Sequence, residues 1–292
     1  MANAPKEIAP VERIFSGLDI SQDTKREYIQ RSGNFFGFVQ ANGFGYATFA
    51  EYKRMLARQE ISVAAKNKYL TVARMLLKEM RHRKMLPEDI TENIKSFGQS
   101  KRHRREGLDE QEVRAMAARL HRMPNTLKNE RRRAFFCLLA LQGLRQAEIR
   151  RLDIGHIDLK RHIAFVRGKG DDDREPVHLA PETVKTLRQY VRKSAVRDGA
   201  LFRSIGNRGS ERITTKTIRR EMESVLLECG IKKTVHGFRH FYITTLLKRF
   251  SVREVRKLSR HKNLEMLLVY DDETHVAAIA RKAFSSFKSV KL

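Results

Sequence analysis

Only one stretch of this 292-residue chain alternates apolar and polar side chains, and it constrains the fold more than any other feature. HIAFVRG (162–168) and REPVHLA (174–180) lie on either side of KGDDD, a pattern typical of two antiparallel strands joined by a turn. Elsewhere the apolar residues follow helical spacing. Helices are predicted on both sides of this hairpin, over 108–123, 131–143, 144–152, 181–196, 214–228, 238–249, 252–259, 263–270 and 275–287. We therefore predict a mainly α fold with one small β-sheet or hairpin.

The first third of the chain shows helical spacing and no strand pattern. Residues 1–20 have weak periodicity, so we expect a mostly flexible arm there. A first helix begins near Ser21 and ends near Gly43, a second covers TFAEYKRMLARQ, a third begins at Ser62, and a short fourth runs from Pro87 to about Phe97. Together they predict a four-helix N-terminal domain over 21–97.

A glycine-flanked basic segment, GQSKRHRREG (98–107), separates this part from the rest. Such a composition is typical of an exposed linker, which gives two domains, 21–97 and 108–292. The basic side chains of the linker could follow a phosphate backbone, or they could simply be solvated. The candidates for DNA contact in the linker are Lys101, Arg102, Arg104 and Arg105.

The charge of the chain favours a polyanionic partner. It has 60 Lys plus Arg against 34 Asp plus Glu, a net charge of +26, and such a charge supports salt-sensitive binding to nucleic acid. No apolar stretch approaches the roughly 20 residues that a membrane span needs, and the N-terminus lacks a signal-peptide core, so we expect a cytoplasmic protein with no membrane partner. The two cysteines lack the ligand spacing of a zinc site.

Four residues near the C-terminal end suggest phosphodiester chemistry. HGFRH holds His236 and Arg239 at i and i+3, which places both on one helix face, and SRHKNLEMLLVY holds His261 nine residues before Tyr270. A guanidinium binds two phosphate oxygens, and a phenol flanked by cations is activated as a nucleophile. The HxxR spacing alone is equally compatible with a surface helix, and a tyrosine alone with the core.

With two earlier motifs, the chain resembles the tyrosine recombinase and integrase family, from about Ser21 to the C-terminus. LALQGLRQAEIRRL matches the family's first arginine and its acidic position with Arg145 and Glu148, and VRGKGDDDREPVHL matches the hairpin lysine with Lys169. The motifs already described supply the remaining positions. The resemblance thus implies a six-member catalytic set, which is Arg145, Lys169, His236, Arg239, His261 and Tyr270.

The resemblance also implies a role for each residue. Arg145 and Arg239 would clamp the scissile phosphate of a recombination site in double-stranded DNA, and His261 would donate a further hydrogen bond to it. Lys169 would protonate the departing 5′ oxygen, and His236 would accept the proton of Tyr270 as the phenol attacks. Glu148 would orient the arginines and histidines. The covalent 3′-phosphotyrosyl link would store the bond energy, so no metal, ATP or other cofactor is implied.

The family's architecture is expected as well: an N-terminal helical core-binding (SAM-like) domain and a C-terminal catalytic domain that together clamp DNA. A tetramer would form in the synapse and a monomer or dimer without DNA. The helix over 275–287 would link protomers or pack on its own domain. Integration, excision and multimer resolution are all compatible with this site.

Two positions depart from the family pattern, and two other functions stay open. Arg260 stands where the family usually has glycine, and could contact phosphate or crowd the helix start. Acidic residues 171–173 follow the hairpin lysine where basic ones are common. A DNA-binding accessory protein or repressor that lost cleavage, and a relaxing enzyme of the type IB topoisomerase kind, would have the same fold.

Overall fold

The computed structural model describes residues 11–98, 107–168, 173–206, 211–261 and 267. The chain divides into two compact units, Met1–Lys101 and Arg102–Leu292. The division falls inside the segment that the sequence marks as a linker. None of the helices in the described residues is both long enough and apolar enough to span a membrane.

The described part of the first unit is helical. Its elements are α1 (Val11–Ser16), α2 (Gln22–Asn42), α3 (Thr48–Arg58) and α4 (Val63–His82). The hydroxyls of Ser21 and Ser62 accept the backbone N–H groups of Thr24 and Ala65, at 3.3 and 3.2 Å, which fixes the first turns of α2 and α4. The apolar faces of the helices enclose one core, in which the largest side chains are those of Phe15, Phe35, Phe49, Tyr52, Leu56 and Leu76.

Two sequence predictions for this unit are wrong. The expected flexible arm over 1–20 contains α1, because Ile14 and Phe15, only 1% and 0% exposed, pack into the core, while residues 1–10 lie outside the described part. The helix expected over 87–97 is a series of turns. There the carboxylate of Asp89 accepts the N–H and hydroxyl of Thr91, and such a local side-chain bond competes with the helical hydrogen bond.

The second unit combines seven helices with a small sheet in its described residues. The helices are α5 (Glu110–Arg122), α6 (Leu127–Ala140), α7 (Gln146–Arg151), α8 (Pro181–Ser194), α9 (Thr215–Glu228), α10 (His236–Leu247) and α11 (Val252–Ser259). The predicted helix over 275–287 lies outside the described residues, as does that over 263–270 except for Leu267, which is helical and buried.

The sheet is antiparallel, in the order β1 (Ile157–Asp158), β2 (Ile163–Arg167) and β3 (Arg174–His178). The predicted hairpin is therefore confirmed. Ala164 faces Ile157 on one side and Val177 on the other, so the buried residues of the three strands share one face. The additional strand, β1, was not predicted.

Helix α6 occupies the middle of this unit. Every residue from Ala134 to Ala140 is buried, and the helix contacts α5, α7, α8, α9 and α10. This surround explains why the second half of the helix, from Ala134 to Ala140, is entirely apolar. An ion pair between Arg131 on α6 and Glu221 on α9, both 4% exposed, joins two of these helices. The end of α6 is thus held in place, and the first candidate site residues follow it directly.

Candidate functional site

The turn after α6 depends on Gly143. Its φ of 58° is in the left-handed region, and a Cβ there would lie 2.3 Å from Cδ1 of Tyr242 on α10. The next residue, Leu144, donates its N–H to Leu138 at 3.0 Å, which closes the turn. Arg145 follows as the residue that caps α7. Glycine is therefore required for both the backbone conformation and the close approach of α10.

Arg145 and Glu148 form a tight pair at the start of α7. The Glu148 carboxylate accepts the Arg145 backbone N–H at 2.8 Å and Nη1 at 2.7 Å. The Glu148 side chain is 2% exposed and that of Arg145 is 36% exposed. Burial alone would raise the pKa of Glu148, but Arg260 and Arg145 reverse this and hold the pKa below its usual value. A charged, buried carboxylate thus fixes a guanidinium that still faces outward.

Arg239 lies deeper, on the first turn of α10. Its Nη1 donates to the carbonyl of Gly143 and its Nη2 to the carbonyl of Ser259, both at 2.6 Å, and the residue is 4% exposed. These bonds join the turn after α6 to the end of α11. The position of the guanidinium is therefore set by two backbone carbonyls from distant parts of the chain.

His261 is buried next to Arg239. Its Nδ1 lies 2.7 Å from the hydroxyl of Ser259, and its Nε2 lies 3.2 Å from Nη2 of Arg239. The Ser259 hydroxyl is also 2.6 Å from the carbonyl of Val255. Burial, followed by repulsion from Arg239, Arg145 and Arg260, lowers the pKa of His261 to about 3. The imidazole is consequently neutral at physiological pH and has a single N–H.

Arg260 also turns into this cluster. Its φ of 55° places it in the left-handed region at the end of α11, and its Nη2 donates to Glu148 at 3.1 Å. Its side chain is 8% exposed. The structure therefore places Arg260 against Glu148, and a direct contact with DNA stays a prediction.

The structure brings together five of the residues singled out from the sequence: Arg145, Glu148, Arg239, Arg260 and His261. His236 is the exposed first residue of α10, one turn before Arg239. Lys169 and Tyr270 lie outside the described residues, as do Lys101, Arg102, Arg104 and Arg105. The residue before Lys169 is described, because the carbonyl of Gly168 accepts Nη1 of Arg151 on α7 at 2.8 Å.

Sequence reasoning missed two contributors to the site. Ser259, which is 0% exposed, bonds to His261 and supplies the carbonyl for Arg239. Gly143 is only the last residue of the helix predicted over 131–143, although its carbonyl holds Arg239. A serine two residues before a candidate histidine, on a short amphipathic helix, was the one available indication for Ser259.

The arrangement is suited to an anion. Among the described residues of this cluster, three guanidiniums surround one carboxylate and one neutral imidazole. Fixed donors of this kind stabilise charge as it develops on nonbridging phosphate oxygens, and they need no reorganisation when it does. Of the three guanidinium-bearing residues, Arg145 is the most exposed, with 36% of its side chain accessible.

Comparisons with known sequences identify relatives of this chain. Residues 106–276, more than half of the chain, match the family described as the phage integrase family. Tyrosine recombinase slr0733 of Synechocystis sp. is 31% identical over 169 residues, which cover 53% of this chain and 52% of that protein. Tyrosine recombinase XerC of Chlamydia trachomatis is 32% identical over 157 residues, covering 50% and 48%. The chain spans about half the length of these curated relatives.

Solved structures show the same fold at low sequence identity. XerH site-specific recombinase, bound to a palindromic difH substrate in a post-cleavage complex, matches with a TM-score of 0.72 and 18% identity over 91% of this chain and 79% of that one. A lambda integrase dimer bound to a COC′ core site matches with a TM-score of 0.71 and 14% identity over 91% and 94%. The predicted fold class, mainly α with a small sheet, is confirmed.

Proposed function

Because this chain belongs to the phage integrase family, we propose that it is a site-specific tyrosine recombinase that cleaves and rejoins DNA through a 3′-phosphotyrosyl intermediate. The observation that carries the proposal is the cluster of Arg145, Glu148, Arg239 and His261, all buried except Arg145, which is assembled from three segments that the family motifs mark.

In this proposal Arg145 and Arg239 clamp the scissile phosphate. Arg239 is fixed by two backbone carbonyls and is buried, so its charge acts in a medium with little water. Arg145 keeps 36% of its side chain exposed while Glu148 holds one edge of the guanidinium. One arginine therefore supplies a preorganised positive charge, and the other supplies the accessible donors.

The covalent step exchanges one phosphoester bond for another. The phenol oxygen of Tyr270 attacks phosphorus, the bond from phosphorus to the 5′ oxygen breaks, and the phenol proton passes to His236. Lys169 gives a proton to the departing 5′ oxygen. His236 lies one turn before Arg239 at the start of α10, and the bond from Arg151 to Gly168 connects the residue before Lys169 to α7, which follows Arg145. Both placements support these roles.

His261 can serve the phosphate only in one tautomer. A neutral imidazole that donates from Nε2 must accept at Nδ1, and the neighbouring Ser259 hydroxyl can supply that hydrogen bond by turning away from Val255. In the other tautomer Nδ1–H donates to Ser259, and Nε2 can only accept. We include in the proposal that phosphate binding selects the Nε2–H tautomer.

The partner proposed is double-stranded DNA that carries a specific recombination site, in accord with the net charge of +26. We propose a tetramer in the synapse, a monomer or dimer without DNA, and action in the cytoplasm. The two units would clamp the duplex, with the basic linker along its backbone. Rejoining would draw on the energy of the phosphotyrosyl bond, so we expect no dependence on added metal or ATP.

Covalent capture from a random pool tests the proposal and identifies the target site in the same experiment. The protein is incubated with a pool of nicked duplexes of randomised sequence in the presence of EDTA, and DNA that remains attached to protein after denaturation is sequenced. We expect the wild type to enrich a defined sequence and Tyr270→Phe to yield no adduct. Tyr46→Phe, which changes a tyrosine that is 79% exposed in the first unit, is the matched control and should behave as the wild type.

Each outcome distinguishes between functions. No adduct from the wild type would favour a DNA-binding protein that has lost cleavage, and an undiminished adduct from Tyr270→Phe would show that another nucleophile acts. If the wild type forms adducts, two plasmid-borne copies of the enriched site should recombine. Relaxation of any supercoiled plasmid without recombination would instead favour a relaxing enzyme.

A further inference from the structure

Arg260 occupies an unusual backbone conformation. Its φ and ψ of 55° and 46° are left-handed, and it terminates α11 with its backbone N–H on the carbonyl of Arg256. Glycine or asparagine is favoured at such helix ends, because a Cβ destabilises the left-handed region. The residue lies directly between Ser259 and His261, both of which belong to the site.

The Arg260 side chain makes a specific contact across the chain. Its Nη2 donates to Oε2 of Glu148 at 3.1 Å, and Oε2 also accepts the Arg145 backbone N–H at 2.8 Å. The other carboxylate oxygen, Oε1, accepts Nη1 of Arg145 at 2.7 Å. Glu148 is therefore shared by two guanidiniums, one on each side, and its plane is fixed by both.

Two features of this arrangement destabilise the fold locally. One is the left-handed conformation of a residue other than glycine, and the other is the Nε of Arg260, which is buried without a hydrogen-bond partner among the described residues. An unmet donor and an unfavourable φ at the same residue are typical of positions where geometry serves a function. If only the stability of the end of α11 mattered, glycine would be the more favourable residue at this position.

We propose that Arg260 is a positioning residue that acts through Glu148 to orient the Arg145 guanidinium toward the scissile phosphate. The inference rests on the proposed recombinase function. With Arg260 present, Oε2 accepts its Nη2, and the carboxylate keeps Oε1 toward Nη1 of Arg145. Without it, the carboxylate rotates more freely and Arg145 loses its fixed direction, while its charge stays in place.

Single-turnover cleavage of a nicked duplex carrying the enriched site tests this role. We would measure the rate at saturating protein and the half-saturating concentration separately, for wild type, Arg260→Gly, Arg260→Lys, Glu148→Gln and the Arg260→Gly/Glu148→Gln double variant. Arg253→Gln, on the exposed face of the same helix, removes the same charge and is the control. A thermal melt of each variant confirms that it is folded under the assay conditions.

We expect Arg260→Gly to lower the saturated cleavage rate roughly ten- to a hundredfold, because misplacing a phosphate-binding group costs that much. The half-saturating concentration should change less than about threefold, since Arg145 keeps its charge. Arg260→Lys keeps a cation without the planar fork, so it should restore part of the rate. In the Glu148→Gln background, loss of Arg260 should change the rate less than about twofold, because coupled residues are not additive.

Three results would overturn the inference. The first is an Arg260→Gly rate equal to that of Arg253→Gln while the protein is folded. The second is an effect confined to the half-saturating concentration. The third is an undiminished effect of Arg260→Gly in the Glu148→Gln background, which would show that Arg260 binds the phosphate directly. All three results can be obtained only if the wild type forms the adduct. If the wild type forms no adduct at all, the proposed function itself has failed.

Discussion

Replacing Gly143 with alanine should destabilise the second unit more than any other glycine replacement at a similar backbone angle. The φ of 58° requires the left-handed conformation, which costs an L-residue about 1–2 kcal/mol. The added Cβ would lie 2.3 Å from Cδ1 and 2.7 Å from Cγ of Tyr242, so the ring or the turn must move. Overpacking of this kind costs about 1–3 kcal/mol. The expected loss of unfolding free energy is therefore about 2–5 kcal/mol.

Gly199 provides a matched control, because its φ is also 58° and the nearest atom to an added Cβ is Nη2 of Arg203, at 3.6 Å. Gly199→Ala should lower the unfolding free energy only by the cost of the left-handed conformation, about 1–2 kcal/mol. Urea unfolding followed by circular dichroism gives both values. The difference between them measures the steric conflict with Tyr242, and truncation of that ring by Tyr242→Ala should remove most of it in the double variant.

The same substitution should impair cleavage. The Gly143 carbonyl accepts Nη1 of Arg239 at 2.6 Å, so a displaced turn moves the buried guanidinium. We expect Gly143→Ala to cleave far more slowly than Gly199→Ala under conditions in which both are folded. Equal stability and equal cleavage in the two variants would refute the claim that glycine is needed for the approach of α10.

Other predictions concern both units. Glu221→Ala should lower the unfolding free energy by about 3–5 kcal/mol, because it leaves the charge of Arg131 buried and unpaired. Urea unfolding measures this loss. A loss smaller than that caused by replacing an exposed glutamate would contradict the prediction. The pKa of His261 is about 3 in the folded protein and 6.5 in the unfolded chain, so the unfolded chain takes up the proton first as the pH falls. The stabilisation of the fold by the neutral imidazole is therefore fully present above pH 6.5 and is lost progressively down to about pH 3. From pH 6.5 to 5 the loss should be about 2 kcal/mol, and His261→Asn should remove it from the measured pH dependence. Asn67→Ala should cost about 1–3 kcal/mol in the first unit, because its amide bonds both the N–H and carbonyl of Phe97, and increased proteolysis after residue 87 would reveal the released segment.

The sequence predicted those elements whose pattern is repeated over many residues. The hairpin was correct because buried and exposed residues alternate along β2 and because Val177 in β3 lies between exposed neighbours, and α2 and α4 began where Ser21 and Ser62 indicated. Strand β1 has two residues, too few to show any period. It forms by pairing with β2, and the residues of β1 alone carry no information about that partner.

The errors in the first unit have a different cause. Helix α1 has six residues, and it is stabilised by burial of Ile14 and Phe15 and by a bond from Arg83 to the Ile14 carbonyl at 3.0 Å, a contact across 69 residues. In the segment after α4, the expected helix gave way to turns in which Asp89 and Asn67 bind the backbone. In both places distant or side-chain partners outweighed the weak local preference.

For the candidate site, the sequence identified the residue types and the structure shows which atoms hold them. Arg239 was expected to meet phosphate, but its Nη1 and Nη2 donate to carbonyls 96 and 20 residues away. Its location is therefore determined by backbone geometry at Gly143 and Ser259. Replacements at these two positions that keep the carbonyls in place should leave the Arg239 guanidinium where it is, and replacements that alter the local φ should move it.

Arg260 shows why a basic residue near a site cannot be assigned from its charge. A phosphate contact, one of the two roles that the sequence suggested, stays a prediction, and the left-handed backbone directs the guanidinium to Glu148, 112 residues earlier. A right-handed residue at this position would continue α11 and carry the side chain elsewhere. The conformation that favours glycine is thus the one that allows arginine to reach the carboxylate, so the departure from the family pattern and the contact with Glu148 have one physical origin.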